Sequence, residues 1–228
     1  MNPKLLGSLL VGIIILTGVY IGTLSLNKEQ ITQNIVTDQQ AAVSTALPSG
    51  LIAYLPFDNS SLSDASGNSN NGSWSGTSSF GSGKIGNGSA SFSGSNYVSI
   101  NNQVYPLSGG TVAFWFKSSG GVLTGSYGGS GNQRAPTLSI NPGGDLHWEY
   151  SEFSNTGGDT GITVADGKWH HVALTYSGSN QVKVYLDGSL IVTDAQPAPG
   201  DFFDQVHIGH YGNYGSSFGN GQVDDFRI

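Results

Sequence analysis

Asp58, Asp64 and Asn68 fall within one loop rich in Gly, Ser and Asn. They offer the hard oxygen ligands that Ca2+ takes. Asp224 alternates with Phe226 and Ile228, so strand parity turns it towards the apolar side, where an isolated charge costs on the order of several kcal/mol. If the first and last strands are neighbours, Asp224 reaches the 58–68 loop and the four residues make a candidate calcium site. The competing reading has Asp64 capping a turn through its own backbone and Asp224 bound to backbone amides. The histidines offer less. His170 and His171 are adjacent and His207 and His210 are three apart, so on a strand each pair points to opposite faces and cannot share a transition-metal ion. Glycoside hydrolysis needs two carboxylates astride the scissile bond. Glu149 and Glu152, in Glu-Tyr-Ser-Glu, are the only glutamates after residue 48.

Aromatic side chains are the other candidates, because sugar rings present C–H faces that stack on them. Tyr127, Tyr211 and Tyr214 stand in Gly/Asn/Ser-rich loops, and Trp148 and Tyr150 share one face of 146–151. These five are the candidate ligand-binding residues. Trp115 and Trp169 lie inside apolar strand patterns and read as core. Gly81-Ser-Gly-Lys-Ile-Gly86 satisfies G-x-G-x-x-G, but a strand-like Gly/Ser pattern follows it instead of the helix that a nucleotide site requires. Gly215-Ser-Ser-Phe-Gly219 fits G-x-S-x-G equally by chance in a glycine-rich chain.

The elements that must position these residues follow from composition. The chain has 228 residues, 37% hydrophobic and 11% aromatic, with 35 glycines, which is enough for a core and excludes wholesale disorder. It has no cysteine, which removes disulfides, thiolate metal sites and cysteine nucleophiles. A net charge of −7 with scattered basic residues excludes a nucleic-acid partner.

Three segments are expected. Leu5–Leu26 carries no charge and as a helix would rise roughly 33 Å, the thickness of a bilayer core. Residues 1–26 therefore read as a hydrophobic helix that anchors the chain in a membrane. The alternatives are a cleaved signal peptide, although no small-x-small site follows closely, and a pilin-like assembly helix through which copies of the chain would form a homo-oligomeric filament. Lys4 before the apolar run favours a cytoplasmic N-terminus and an exported body. Residues 27–48 read as a polar stalk. From 49 to 228, short apolar runs alternate with turn clusters, the pattern of an all-β domain. Gln181–Thr193 reads as a hairpin turning at Asp187-Gly188.

Leu51-Ile-Ala-Tyr-Leu-Pro-Phe-Asp58, Asp64-Ala-Ser-Gly-Asn68, Gly167-Lys-Trp-His-His-Val-Ala-Leu-Thr-Tyr176, Val184-Tyr-Leu-Asp-Gly188 and Gly221-Gln-Val-Asp-Asp-Phe-Arg-Ile228 occur in that order. In this the chain resembles laminin-G-like domains of the concanavalin A-like lectin/glucanase superfamily. The resemblance implies a jelly-roll sandwich of two antiparallel sheets with adjacent first and last strands, and calcium binding, known in some members, at the acidic positions. The superfamily's glucanases carry E-x-D-x-x-E on one strand, and that pattern is absent here. The expected function is thus a non-catalytic module at the cell surface, binding carbohydrate or an extracellular protein in adhesion. A structural subunit of a surface filament or sheath and a divergent polysaccharide hydrolase are the alternatives. An exported domain without disulfides points to a prokaryotic cell envelope.

Overall fold

The computed structural model describes residues 47–100, 104–106, 109–127, 136–151, 156–177, 181–195, 205–211 and 219–228. The expected helix over 5–26, nearly all of the stalk, Tyr214 and Glu152 lie outside the described residues. Among those described, no helix is long and apolar enough to cross a membrane.

Fourteen strands occur among the described residues: β1 (Tyr54–Leu55), β2 (Gly72–Ser75), β3 (Phe80–Gly81), β4 (Ser89–Ser93), β5 (Tyr97–Ile100), β6 (Gly109–Tyr127), β7 (Thr137–Ile140), β8 (Asp145–Ser151), β9 (Thr156–Thr163), β10 (His170–Ser177), β11 (Gln181–Leu186), β12 (Ser189–Ala195), β13 (Gln205–Ile208) and β14 (Asn220–Arg227). They form the two antiparallel layers of a concanavalin A-like jelly roll, and every pairing is antiparallel. In the first layer the order is β12-β11-β10-β6-β14. β4 then pairs with the first half of β14, and β1 with its end through Tyr54↔Arg227 and Leu55↔Phe226. In the second layer the order is β9-β8-β7-β6-β13-β5-β2.

β6 belongs to both layers. Its first half, including the expected strand Thr111–Lys117, lies between β10 and β14; after Gly120-Gly121 its second half lies between β7 and β13.

The core follows from period-two alternation. Val112, Phe114 and Phe116 of β6 share the inner face of the first layer with Val172 and Leu174 of β10, Val182 and Val184 of β11, and Phe226 of β14, all fully buried. Burying each such side chain contributes about 1.5–3 kcal/mol. The same alternation sends Trp115 outward, so it and Trp169 are half-buried at the outer face and not in the core. Conversely, Trp148 and Tyr150 share a face as expected, but it is the inner one: they are 4% and 1% exposed. Neither presents a ring to a ligand, because both alternate in register with the core residue Leu146.

Candidate functional site

The four residues expected to bind calcium do not converge. Asp64 spends both carboxylate oxygens on its own loop. Its Oδ1 accepts the N–H groups of Tyr54 and Ser66, both at 2.8 Å, and its Oδ2 accepts the Ser66 hydroxyl at 2.8 Å and the Asn70 N–H at 2.9 Å. Burial would raise its pKa, but these donors outweigh it and hold the carboxyl below its ordinary value. Asn68 points its amide nitrogen, not its oxygen, at the carbonyls of Leu51 (2.8 Å) and Ile52 (3.1 Å).

Asp58 Oδ1 accepts the N–H groups of Asn87 (2.6 Å) and Gly88 (3.1 Å). Asp224 Oδ2 accepts those of Lys84 (2.7 Å) and Ile85 (2.8 Å). No group of three or more His, Asp or Glu side chains able to hold a metal ion occurs among the described residues. Asp64 thus has both oxygens engaged, whereas the amide bonds of Asp58 and Asp224 run to one oxygen each, and Asp224 Oδ1 is buried without a hydrogen-bond partner among the described residues.

The parity expectation for Asp224 also fails. A bulge in β14, with Asp225 at φ 55°, lets Val223 and Phe226 both face the core. Asp224 therefore sits on the outer face opposite Trp115 and is buried there. The amides it binds, those of Lys84 and Ile85, belong to the 81–86 segment that matched G-x-G-x-x-G.

A different set of polar and aromatic residues meets on the outer face of the second layer. Val98 and Ile100 of β5 point inward, which turns Tyr97 outward; Val206 and Ile208 of β13 do the same for His207. His210 should face away from His207 on a continuing strand, but Gly209 at φ 85° ends β13 and swings the chain back. A Cβ at Gly209 would stand 2.5 Å from the Phe92 ring. As a result His207 Nδ1 and His210 Nδ1 lie 3.2 Å apart, against the parity expectation. Both rings are buried, and Tyr97 covers them: its ring is 4.6 Å from His210 in a stack and 4.5 Å from His207.

The chain then crosses β6 at Gly125, where a Cβ would meet the His210 carbonyl at 2.8 Å. It delivers the Tyr211 hydroxyl to Glu149 Oε2 on β8 at 2.5 Å. The His207 Nε2 to Gln205 Oε1 distance of 3.2 Å fits a neutral His207 protonated on Nε2 and accepting from His210 on Nδ1. Burial, with His210 adding to it, pushes His207 down to about 4, and burial lowers His210 as well.

Of the expected ligand-binding residues, the structure thus brings Tyr211 to a polar site, sends Trp148 and Tyr150 to the core, and describes Tyr127 only as the last backbone position of β6, paired with Gln205. Tyr97, His207, His210 and the partnership of Glu149 with Tyr211 were missed. For Tyr97 the signal was present, since Tyr97-Val-Ser-Ile100 alternates.

This arrangement suits recognition of a polar ligand with apolar faces. Tyr97 is a half-buried ring backed by two imidazoles, Gln205 supplies an acceptor beside His207, and Glu149 lies further along the layer on β8, where Tyr211 reaches it. The other conspicuous histidine has a different task. His170 is held between Asp187 (2.8 Å) and Asp166 (3.1 Å), and these join the β11–β12 turn to the start of β10.

Among solved structures, domain 4 of AbnA, a GH43 extracellular arabinanase from Geobacillus stearothermophilus, in complex with arabinotriose, is similar at TM-score 0.60 and 22% identity, covering 78% of this chain and 90% of that one. The binding domain of Paraclostridial Mosquitocidal Protein 1 is similar at TM-score 0.60 and 15% identity, covering 78% of this chain and 48% of that one. A botulinum neurotoxin type C structure, described for cell entry dependent on two ganglioside molecules, gives TM-score 0.60, 18% identity, and 78% and 47% coverage. The chain therefore spans about half the length of these toxin chains. At such identities the likeness is one of fold. No curated protein matches the sequence. The family model described as the concanavalin A-like lectin/glucanases superfamily, Laminin_G_3, matches residues 92–228, more than half of the chain, and the protein belongs to that family.

Proposed function

We propose that the chain is a non-catalytic carbohydrate-binding module that recognises its ligand on the outer face of the second layer, and that residues 5–26 hold it at the cell envelope. The observation that carries this reading is the stack of Tyr97 on His210 and His207, with the Tyr211–Glu149 bridge further along the same layer. Tyr97 supplies the face for sugar C–H groups, and Glu149 and Gln205 accept from hydroxyls. The buried histidines fix the ring so that little freedom is lost on binding. A non-catalytic role is supported by the separate partners of the described carboxylates of this layer: Glu149 is bound by Tyr211, Asp159 by His147 at 2.8 Å and Asp145 by Thr163 at 2.8 Å. The family and the fold shared with the arabinanase domain are consistent with sugar recognition.

The test is affinity electrophoresis of the full chain through gels containing arabinan and other neutral polysaccharides, with reducing sugar measured in parallel. Retardation without product is expected. Tyr97→Ala should weaken it roughly tenfold, the loss of one stacking contact of about 1.4 kcal/mol. Absence of retardation by every polymer, or release of sugar, would overturn the proposal.

A further inference from the structure

The two histidines of the Tyr97 site are packed unlike His170, which stands between the Asp187 and Asp166 carboxylates. His207 and His210 are buried against each other, Nδ1 to Nδ1 at 3.2 Å, with the Tyr97 ring over both and the Gln205 side-chain oxygen at His207 Nε2. The strands around them bring little charge. β2, β5, β7, β13 and the second half of β6 contain no Asp, Glu, Lys or Arg, and neither does the sequence from Tyr211 to Gly219. β5 sets Ser99 level with His207, and β6 sets Gly125 there. The charged groups begin at β8, where Asp145 is bound to Thr163, His147 to Asp159 of β9, and Glu149 to Tyr211.

A proton added to this pair places a charge where burial disfavours one, and a second would set two cations 3.2 Å apart. The segment that carries His210 has a place to yield. Gly209, at φ 85°, donates its N–H to the Leu123 carbonyl at 2.9 Å and accepts from the Gly219 N–H at 2.8 Å. Two residues on, Tyr211 bridges to Glu149. Turning the chain outward at Gly209 separates the imidazoles, removes the backing of the Tyr97 ring and withdraws Tyr211 from Glu149.

We infer that the His207–His210 pair is an acid-operated latch on this site: with both rings neutral it holds Tyr97 and Tyr211 in their binding positions, and on protonation it opens at Gly209 and releases the ligand. The release of a sugar rests on the carbohydrate reading above, whereas the latch itself does not. The closed state binds fewer protons than the open one, so acid favours opening. Opening exposes only this pair and its turn, so it precedes unfolding of the sheets as the pH falls.

Hydrogen exchange of the full chain without ligand, corrected for the intrinsic effect of pH on exchange, tests the latch over residues 205–211. The comparison is between about pH 7.5 and about pH 5, a window in which ordinary carboxylates stay ionised. With His207 neutral down to about 4 when closed and titrating near 6.5 when open, the opening constant should rise roughly thirtyfold. The far-UV circular dichroism of the sheets should not change. Retardation of the wild-type chain by arabinan should weaken roughly tenfold over the same window. In His207→Gln/His210→Gln both effects should vanish, so that any retardation left is the same at the two pH values. Equal protection at both, an acid loss of protection that persists in the double variant, or loss of the far-UV signal along with it would overturn the inference. If the variant does not fold, the wild-type exchange and circular dichroism decide. Faster exchange at low pH in a chain that no polysaccharide retards would keep the latch and remove the sugar, which tells the two failures apart.

Discussion

Two imidazoles 3.2 Å apart in a buried site make the protein sensitive to acid. His207 is held neutral by burial down to about 4, whereas in the unfolded chain a histidine takes its proton near 6.5. Between those values the unfolded state binds more protons than the folded one, so stability falls as pH drops from about 6.5 to 4. The full effect is on the order of 3 kcal/mol for this 3%-exposed side chain. Melting temperatures measured across that window should decline, and His207→Gln should flatten the decline. An equal slope in wild type and variant would count against the buried pair. His170 has the opposite sign. Burial lowers its pKa, but hydrogen bonds to Asp187 and Asp166 outweigh this and raise it. Its contribution is complete below the ordinary histidine value and is lost as pH rises through the raised one. Asp224 yields a second residue-scale prediction. Asp224→Ala strands the Lys84 and Ile85 amides and should cost about 1–3 kcal/mol. Asp224→Asn keeps an acceptor and removes a buried charge, and should stay within about 1 kcal/mol of wild type in urea denaturation.

At the scale of elements, regular alternation was legible and its interruptions were not. The Gln181–Thr193 hairpin turns at Asp187-Gly188 as its sequence indicates, with φ values of 48° and 81°. The inward set of β10 and β11 could be written down residue by residue. Parity failed wherever the backbone broke it. The bulge at Asp225 moved Asp224 to the outer face, Gly209 turned His210 back upon His207, and Gly120-Gly121 carried one strand from the first layer into the second. Each break is a left-handed or bulged residue whose position local propensity does not specify. The candidate site was less legible than the fold for that reason, since it depends on Gly209 and on a crossing at Gly125. The Asp187 turn also supports a prediction. Its carboxylate accepts from His170 and from the His171 N–H at 2.8 Å, linking β10 to the β11–β12 hairpin. With the side chain about half exposed, Asp187→Ala should cost about 1–2 kcal/mol, and Asp187→Asn, which tolerates the left-handed backbone, distinctly less. Equal destabilisation by both would show that backbone conformation has no part in it.

For the body as a whole, residues 49–228 form one compact unit around one apolar cluster that draws side chains from both layers. The first strand is closed against the last through Tyr54↔Arg227, and the loop following β1 is ordered by carboxylates acting on backbone amides. Asp58, Asp64 and Asp224 thus stabilise loops by hydrogen bonds within the chain. A divalent ion that took over the Asp64 oxygens would displace the Tyr54 and Asn70 amides, and each amide left unpaired and part-buried costs about 1–3 kcal/mol. Thermal unfolding of the full chain in EDTA should therefore match unfolding in millimolar calcium, whereas an ion bound at a hundred times its dissociation constant would add about 2.7 kcal/mol. For a domain of this size that is a rise of roughly 5–10 °C, well within calorimetric resolution. A rise of that order on adding calcium, abolished by Asp64→Asn, would mean that the loop exchanges its own amide donors for a cation, and that the first and last strands are held together by the ion instead of by the chain.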